Sequence, residues 1–460
     1  MMLQYGRNSV GEGLVWRAAG GTWYRGARPA TMSLLVTPCD PGNCHIYFGV
    51  QLRALPTAIA LSMALKRTLL LPPFEWYENQ AQQFANAFRA TPQGRTPNFM
   101  PWSELFDIER LREEGLAVHT FEEKFRFREP FIDRGLLQTA NAIGAQYRGM
   151  ANREDCKRSS DGLRANVTWI EEGQTAVHAG ARARAHLYGF DSLHFGELKC
   201  AAFSLAPQHK DVTLPAMEEY FGDASVGAIF NVGHHIASKL DDKALSVMLL
   251  ERALRPNKEL EAEAVRFMQQ THGWEDRMHT LNAAEASGRP MVPAARRVVA
   301  VHWRHGDYVA YNLLIPLHSM VKRVTESLRH SGCANAPPED HPDEAGGGGA
   351  HAAQAQAALH TCTIFLMTNC KNASALSEFT AALAPTPVVS YQPDDPRFAH
   401  EGRRLVIEQA IASRVHAFVN TPRSAVSELV ETMRRSRARE AELERKRRQR
   451  RKQPKTKVEL

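Results

Sequence analysis

At 460 residues the chain exceeds the roughly 250 to 300 at which a single core stops growing, so two domains are expected. A composition of 43% hydrophobic and 23% charged residues is that of a globular protein and excludes the collagen-like and disordered classes. The net charge of +7 gathers at one end: Arg434 to Leu460 holds 13 basic and 4 acidic residues, leaving 44 basic against 46 acidic elsewhere. A partner that reads phosphate by charge alone would meet this tail and not the folded body, and a nucleic-acid partner is not expected.

No run reaches the roughly 20 apolar residues of a membrane span, since Lys66 and Arg67 interrupt the best candidate. The N-terminus lacks the apolar stretch of a secretory signal, which by itself leaves a cytoplasmic location open. Two features point instead to the endoplasmic reticulum lumen. They are the glycosylation-type triplets Asn166-Val-Thr168 and Asn372-Ala-Ser374, and the ending Lys457-Val-Glu-Leu460, one residue from a retrieval signal. The seven cysteines show no zinc spacing, and no metal site is expected. In an oxidising lumen Cys39 with Cys44, and Cys362 with Cys370, would close small loops; in a reducing compartment all seven are scattered thiols.

Residues 1–30, rich in Gly and Arg, read as a loose leader. Leu52, Leu55, Ile59 and Met63 recur at helical spacing, and Thr68 to Leu71 is a short apolar strand stopped by Pro72-Pro73. Pro101 to Asp107 reads as a turn entering a short helix with Ser103 as its N-cap. The stretch from about 110 to 235 carries no readable period. Asp241 to Gln270 returns to helix around a break at Pro256. Val298 to Trp303 is a valine-rich run of buried-strand type, and Thr363 to Thr368 is a second. A helix over 374–383 follows, then a strand over 387–391, a helix over 403–413, a strand over 415–419 and a helix from Pro422 onward. That alternation predicts an α/β chain with a parallel, doubly wound sheet whose ligands gather at the carboxyl ends of its strands. Between Cys333 and Thr361 a Pro/Gly/Ala-rich stretch reads as an inserted surface loop.

Three places carry candidate chemistry. In His302-Trp-Arg-His-Gly-Asp307, at the end of the first buried strand, His302 and Arg304 alternate onto one side. Arginine's planar fork suits a phosphate, and Gly306 lets the backbone turn away. The same residues also fit a plain strand end with a surface Arg/Asp pair and a core histidine. In Phe418 to Glu428, Thr421-Pro422 reads as N-cap and first helical residue. The free N–H groups of the next turn, with Arg423 and the hydroxyls of Ser424 and Ser427, would then form an anion site; a merely capped helix is the alternative. Glu408, on an otherwise apolar helical segment, has a carboxylate able to accept both N1–H and N2–H of guanine, although a helix-surface glutamate explains it as well.

These segments together resemble the protein O-fucosyltransferases, over roughly residues 45 to 110 and 240 to 433. Val298-Val-Ala-Val-His-Trp-Arg-His-Gly-Asp-Tyr308 is similar to that family's strand-borne His-x-Arg-x-Gly-Asp segment. Leu69-Leu-Leu-Pro-Pro-Phe74 and Pro101-Trp-Ser-Glu-Leu-Phe-Asp107 are similar to its early Pro-Pro-Trp and Trp-Ser-Glu stretches. The resemblance implies a glycosyltransferase-B fold of two Rossmann-like domains facing a cleft. An acceptor-side domain would occupy 31–235 and a GDP-sugar domain 236–433, with the inserted loop 333–361 and a basic tail 434–460. It also implies an inverting, metal-independent transfer of fucose from GDP-fucose to Ser/Thr of a protein acceptor, such as small disulfide-bonded modules.

Residue by residue, the resemblance assigns Arg304 to the departing β-phosphate and His302 to a nucleotide contact. Asp307 would hold the loop or Arg304, Glu408 would bind guanine, and Ser424 with the amide of Ala425 would bind phosphate. Gly49, Val50 and Gln51 fall where the family has a loop under the sugar. That loop departs from the family pattern: its asparagine or acid is missing, and no general base is identifiable. Ala425 and Val426 likewise replace Ser/Thr and Phe, and Asn369 replaces an aspartate. A catalytically weak GDP-sugar-binding relative is therefore a second reading, and a nucleic-acid-associated protein acting through its tail a third.

Overall fold

Apolar runs too short to cross a membrane form the centres of two mainly parallel sheets. The structure, a computed structural model, describes residues 16–18, 21–23, 32–37, 48–76, 98–125, 131–138, 168–169, 184–187, 190–201, 214–230, 251, 254–271, 274, 296–305, 307–310, 312–333 and 361–452. The chain divides into one unit of residues 1–78 with 96–255 and another of 79–95 with 256–460. Among the described residues no helix is long and apolar enough to cross a membrane.

In the first unit β1 (Ser33–Val36) leads to α1 (Phe48–Ala64) and β2 (Thr68–Leu71). Leu52, Leu55 and Ile59 are buried, as their spacing requires. Lys66, at φ 57°, turns the chain back from helix to strand. A short antiparallel pair, β3 (Phe74–Trp76) with β4 (Asn98–Met100), precedes α2 (Trp102–Leu105), α3 (Ile108–Glu113) and β5 (Val118–Thr120). Ser103 does not cap α2, because Pro101 holds the N-cap position without a side-chain bond. Asp107 caps α3 instead, accepting from Arg110 N at 3.2 Å.

The stretch without readable period supplies β6 (Phe131–Gln138), β7 (Arg184–Leu187), β8 (Phe190–Ala201), α4 (Leu214–Phe221) and β9 (Val226–Phe230). The sheet order is β7-β8-β6-β9-β1-β2-β5, parallel throughout except for the β7–β8 pair. Buried Arg67 ties α1 to the end of α4 by donating to the carbonyls of Phe221 (2.9 Å), Gly222 (2.9 Å) and Ala224 (2.7 Å).

The second unit runs through α5 (Lys258–Arg266), β10 (Arg296–Trp303), α6 (Asp307–Ala310), α7 (Leu317–His330), β11 (Thr361–Thr368), α8 (Ala373–Ala382), β12 (Val388–Val389), α9 (Glu401–Arg414), β13 (Ala417–Val419) and α10 (Ala425–Lys452). Among the described residues its strands are all parallel, in the order β12-β11-β10-β13. Strands β10 and β11 are covered on both faces, which is why they read as continuous apolar runs. Val299, Val301 and Trp303 pack with Met320, Val324 and Leu328 of α7 on one side of β10. The alternate residues therefore face the opposite layer. From β10 the chain moves outward to β11 and β12, then returns to the other side of β10 as β13. The strand order reverses between β10 and β13, the position in an open α/β sheet where ligands are received.

Two expectations are corrected in this unit. Cys362 pairs with Cys333, not with Cys370; the bond closes a span of 29 residues at the base of the inserted segment, and Cys370 is a buried free thiol. The geometric reason is that β11 begins beside the end of α7, bringing the two Cα atoms to 5.5 Å. The last helix begins at Ala425, not Pro422, because Arg423 lies at φ 60°, outside right-handed helical space.

Helix α10 runs without a break through Arg434 to Lys452. Arg434 donates to the carbonyls of Ala412 (3.0 Å), Val415 (2.7 Å) and His416 (3.1 Å), closing the C-terminal end of α9. Arg437 and Arg414 both pair with Glu261 of α5. The start of the basic segment is thus built into the packing of three helices. Cys39, Cys44, Asn166, Gly306, the inserted segment 334–360, residues 241–250 of the expected helix and the ending Lys457–Leu460 lie outside the described residues.

Candidate functional site

The site at the reversal between β10 and β13 is organised by Thr421, two residues beyond β13. Its hydroxyl donates to the carbonyl of His302 and accepts from the amide of Arg304 at 3.1 Å. Its own amide donates to Ser427 Oγ at 3.0 Å, and Ser427 Oγ lies 2.8 Å from His302 Nδ1. Thr421, Ser424 and Ser427 are all buried. Thr421 is therefore not a helix cap: its side chain joins the ends of β10 and β13. Ser427, expected to present its hydroxyl to an anion, spends it on His302 and Thr421.

His302 and Arg304 do share one face of the sheet, the face covered by the start of α10. Burial, with the positive charge of Arg304 beside it, holds the His302 imidazole down at about 3, so the ring is neutral. Arg304 extends past the strand end, its Nη1 3.5 Å from Ser424 Oγ and its guanidinium over the Tyr308 ring at 4.8 Å. Tyr308 in turn donates to the carbonyl of Pro422 at 3.3 Å. Ser424 stands immediately before α10, and the amides of Ala425 and Val426 open the helix, where N–H groups have no intrahelical acceptor. A guanidinium, a buried hydroxyl and a helix start therefore lie side by side, groups of the kinds that bind phosphate in proteins. Asp307 is the first residue of α6, three positions beyond Arg304.

Asn369, read from sequence only as a departure, has a clear place. Its Oδ1 accepts from His305 N at 2.7 Å, and Thr368 Oγ1 donates to the carbonyl of Trp303 at 2.6 Å. The chain leaving β10 is thereby anchored to both neighbouring strands. Sequence reasoning missed Thr421's hydroxyl and Thr368, because a threonine at a strand end carries no pattern of its own.

Glu408 is buried on α9, with Arg404 Nε donating to its Oε1 at 3.2 Å. Burial raises its carboxyl to about 7, against the lowering effect of Arg404. It is not the surface glutamate that helix spacing permits. No bond joins it to the Arg304 cluster among the described residues. In the first unit, Gly49, Val50 and Gln51 do not form a loop: they lie in the opening turn of α1, which contains no acid. The helix starts early because apolar spacing continues back through that turn. Buried Gln51 lines a small cavity with Val36, Thr37, Leu71, Phe74 and Trp102. Among the described residues no group of three or more His, Cys, Asp or Glu is placed to hold a metal ion.

Comparison with known proteins decides the family. The family model for GDP-fucose protein O-fucosyltransferase matches residues 47–437. The chain belongs to the GDP-fucose protein O-fucosyltransferase family. It is accordingly a GDP-fucose-dependent glycosyltransferase, and the match ends at the arginine that docks on Glu261. Among solved structures, POFUT1 in complex with GDP-fucose is 15% identical, with 89% of this chain and 95% of that one covered at a TM-score of 0.47. The fucosyltransferase NodZ from Bradyrhizobium is 13% identical over 87% and 93%, at a TM-score of 0.36. FUT1 from Arabidopsis thaliana in complex with GDP is 8% identical over 87% and 68%, at 0.34. No curated protein matches the sequence.

Proposed function

We propose that this enzyme transfers fucose from GDP-fucose to a Ser or Thr hydroxyl of a protein acceptor with inversion at the anomeric carbon. The observation that carries the reading is the placement of Arg304 beside Ser424 at the reversal between β10 and β13, held there by Thr421. In the transfer, the bond between C1 of fucose and the β-phosphate oxygen breaks with its electron pair on the phosphate, and the acceptor oxygen forms its bond to C1 from the opposite face. Arg304 would stabilise the charge gathering on the departing phosphate, while Ser424 and the Ala425 amide fix its oxygens. His302 would donate to the nucleotide from a neutral ring, and Glu408, once ionised, would accept from guanine. Asp307 would hold the turn that presents Arg304. This assigns the leaving-group charge to a side chain, so the reading expects transfer without added metal.

Gly49, Val50 and Gln51, in the opening turn of α1, are read as the residues that contact the fucose. Because that turn holds no acid, the acceptor proton is assigned to the departing phosphate. The same absence favours the second reading, a GDP-fucose-binding protein with weak transfer. The Cys333–Cys362 bond supports an oxidising compartment such as the endoplasmic reticulum lumen.

Calorimetric titration with GDP and UDP, on the wild type and on Arg304→Ala, tests the donor site. GDP binding that UDP does not share, lost in the variant, supports both readings. NMR of the product formed from GDP-fucose and an acceptor module then separates them, since an α-fucoside on Ser or Thr is expected from transfer and free fucose or no turnover from the weak relative. A wild-type chain that binds neither nucleotide overturns the assignment of the site.

A further inference from the structure

Ser427 is buried and has one hydroxyl proton to donate and two lone pairs with which to accept. One lone pair is taken by the amide of Thr421 at 3.0 Å. A helical serine commonly donates back to a carbonyl three or four residues earlier; in Ser427 no such bond is present, and the group within reach is His302 Nδ1 at 2.8 Å. If Nδ1 carried the proton, the Ser427 hydroxyl hydrogen would be buried without an acceptor, a loss that costs more than the bond gains. We propose that Ser427 is a positioning residue that fixes His302 as the tautomer protonated at Nε2, so that a neutral N–H donor faces the donor substrate beside the Arg304 cation.

The neighbouring bonds make this a lock on geometry as well as on the proton. Thr421, which orients Ser427 through its amide, also grips the His302 carbonyl and the Arg304 amide through its hydroxyl. Ring, strand end and guanidinium are therefore positioned from one pair of hydroxyl residues. The charges around the ring agree with a neutral donor: Arg304 disfavours a second cation next to it. A neutral N–H remains able to donate to a phosphate or ribose oxygen across the physiological range, whereas the other tautomer would aim a lone pair at it. The ligand half of this proposal rests on the donor-site reading above; the tautomer half does not.

Full-length protein labelled with ¹⁵N-histidine tests both halves, the His302 ring signals being assigned by their loss in His302→Asn. At neutral pH, long-range ¹H–¹⁵N correlation of the wild type is expected to show one tautomer, with Nε2 protonated and Nδ1 accepting. Ser427→Ala should give a mixed or exchanging tautomer and weaken GDP about fivefold, the scale of one hydrogen bond, and Ser427→Thr should restore both. A change confined to thermal stability would mark a merely structural serine and overturn the proposal, as would an Nδ1-protonated ring in the wild type or an unchanged ring in Ser427→Ala. If the wild type shows the locked Nε2 tautomer yet binds no GDP, the tautomer assignment stands and the nucleotide reading falls. Should Ser427→Ala fail to fold, the wild-type spectrum and Ser427→Thr alone decide the tautomer.

Discussion

The amide of Arg304 donates to Thr421 Oγ1 at 3.1 Å, and that single contact bridges two strands separated by more than a hundred residues in the chain. Because the same hydroxyl donates to the His302 carbonyl, removing it takes one bond from each of two backbone groups at the strand end. Thr421→Val, which keeps shape and loses both bonds, is expected to destabilise the second unit by about 1 to 3 kcal/mol. GDP affinity should fall with it, because Arg304 loses its anchor. Thr421→Ser should retain most of both. Chemical denaturation and nucleotide titration on the three proteins check this; a valine variant with wild-type affinity would show that Arg304 is held elsewhere.

Arg304 itself combines a ring contact with Tyr308 and a hydroxyl contact with Ser424. A lysine has neither the planar fork nor the stacking surface, so Arg304→Lys is expected to behave almost as Arg304→Ala. Removing one preorganised group that stabilises developing charge costs about 10² to 10³ in turnover. Both variants should lose fucose transfer on that scale while their unfolding midpoints stay near wild type. A lysine variant retaining more than a tenth of wild-type turnover would sink the leaving-group role.

Much of this is legible in the sequence, and the reasons are local. Val298 to Trp303 and Thr363 to Thr368 announce buried parallel strands because they are apolar but for His302 and the threonines, and His302 and Thr368 find partners at the strand ends. His302 and Arg304 were placed on one face by alternation alone. The stretch from 110 to 235 was unreadable for a physical reason: β6 carries Asp133 and Arg134 inside its run. Those charges are spent on Val226 N at 2.6 Å and on the Tyr220 carbonyl at 2.7 Å, contacts that only the assembled sheet supplies. Helix α7, not among the expected elements, nevertheless carries a helical period: Met320, Val324 and Leu328 recur every four residues and form its buried face. Helix α10 starts three residues later than Thr421-Pro422 suggests, because that pair mimics a cap and the positive φ of Arg423 leaves no mark in the sequence.

The buried carboxyl of Glu408 makes a pH-dependent prediction. Its value in the fold is about 7, above the ordinary 4.5, so between these limits the folded chain holds a proton that the unfolded chain has lost. The associated stability is fully present below about 4.5 and is lost as pH rises through 7. Guanine requires the ionised form to receive N1–H and N2–H, so GDP affinity should rise with pH through 7, with protons released on binding. Calorimetry in buffers of different ionisation enthalpy measures that release. In Glu408→Gln the release should vanish and stability should no longer fall over this range. Equal proton release in the variant would remove Glu408 from the guanine site.

The disulfide between Cys333 and Cys362 spans 29 residues, and closing a loop of that size stabilises by roughly 2 to 4 kcal/mol through the unfolded chain. Cys333→Ser with Cys362→Ser is expected to lower stability by that amount and leave the donor site in place, since both residues lie at the amino end of β11, away from Arg304. Peptide mapping without reductant should join the two peptides, and Cys370 should alkylate only on unfolding. A crosslink from Cys362 to Cys370 would contradict the placement.

Helix α10 separates into a docked part and an exposed part, and truncation distinguishes them. Through Arg434 and Arg437 it closes the end of α9 and meets Glu261, whereas from Glu442 to Arg448 its residues are exposed and their ion pairs, Glu442 with Lys446 and Glu444 with Arg448, lie within the helix itself. Exposed pairs of this kind contribute only a few tenths of a kcal/mol. Ending the chain after Ala441 is therefore expected to leave the unfolding midpoint and GDP affinity close to those of the full chain. Ending it after Met433 removes the three bonds that Arg434 makes to carbonyls at the end of α9 and strips Glu261 of its Arg437 partner. Glu261 keeps its pair with Arg414, so the cost falls on packing between α5, α9 and α10, and loss of cooperative unfolding of the second unit is expected. If the shorter chain matched the longer in both measurements, the docking of Arg434 and Arg437 would carry no stability, and the whole basic segment would be an appendage.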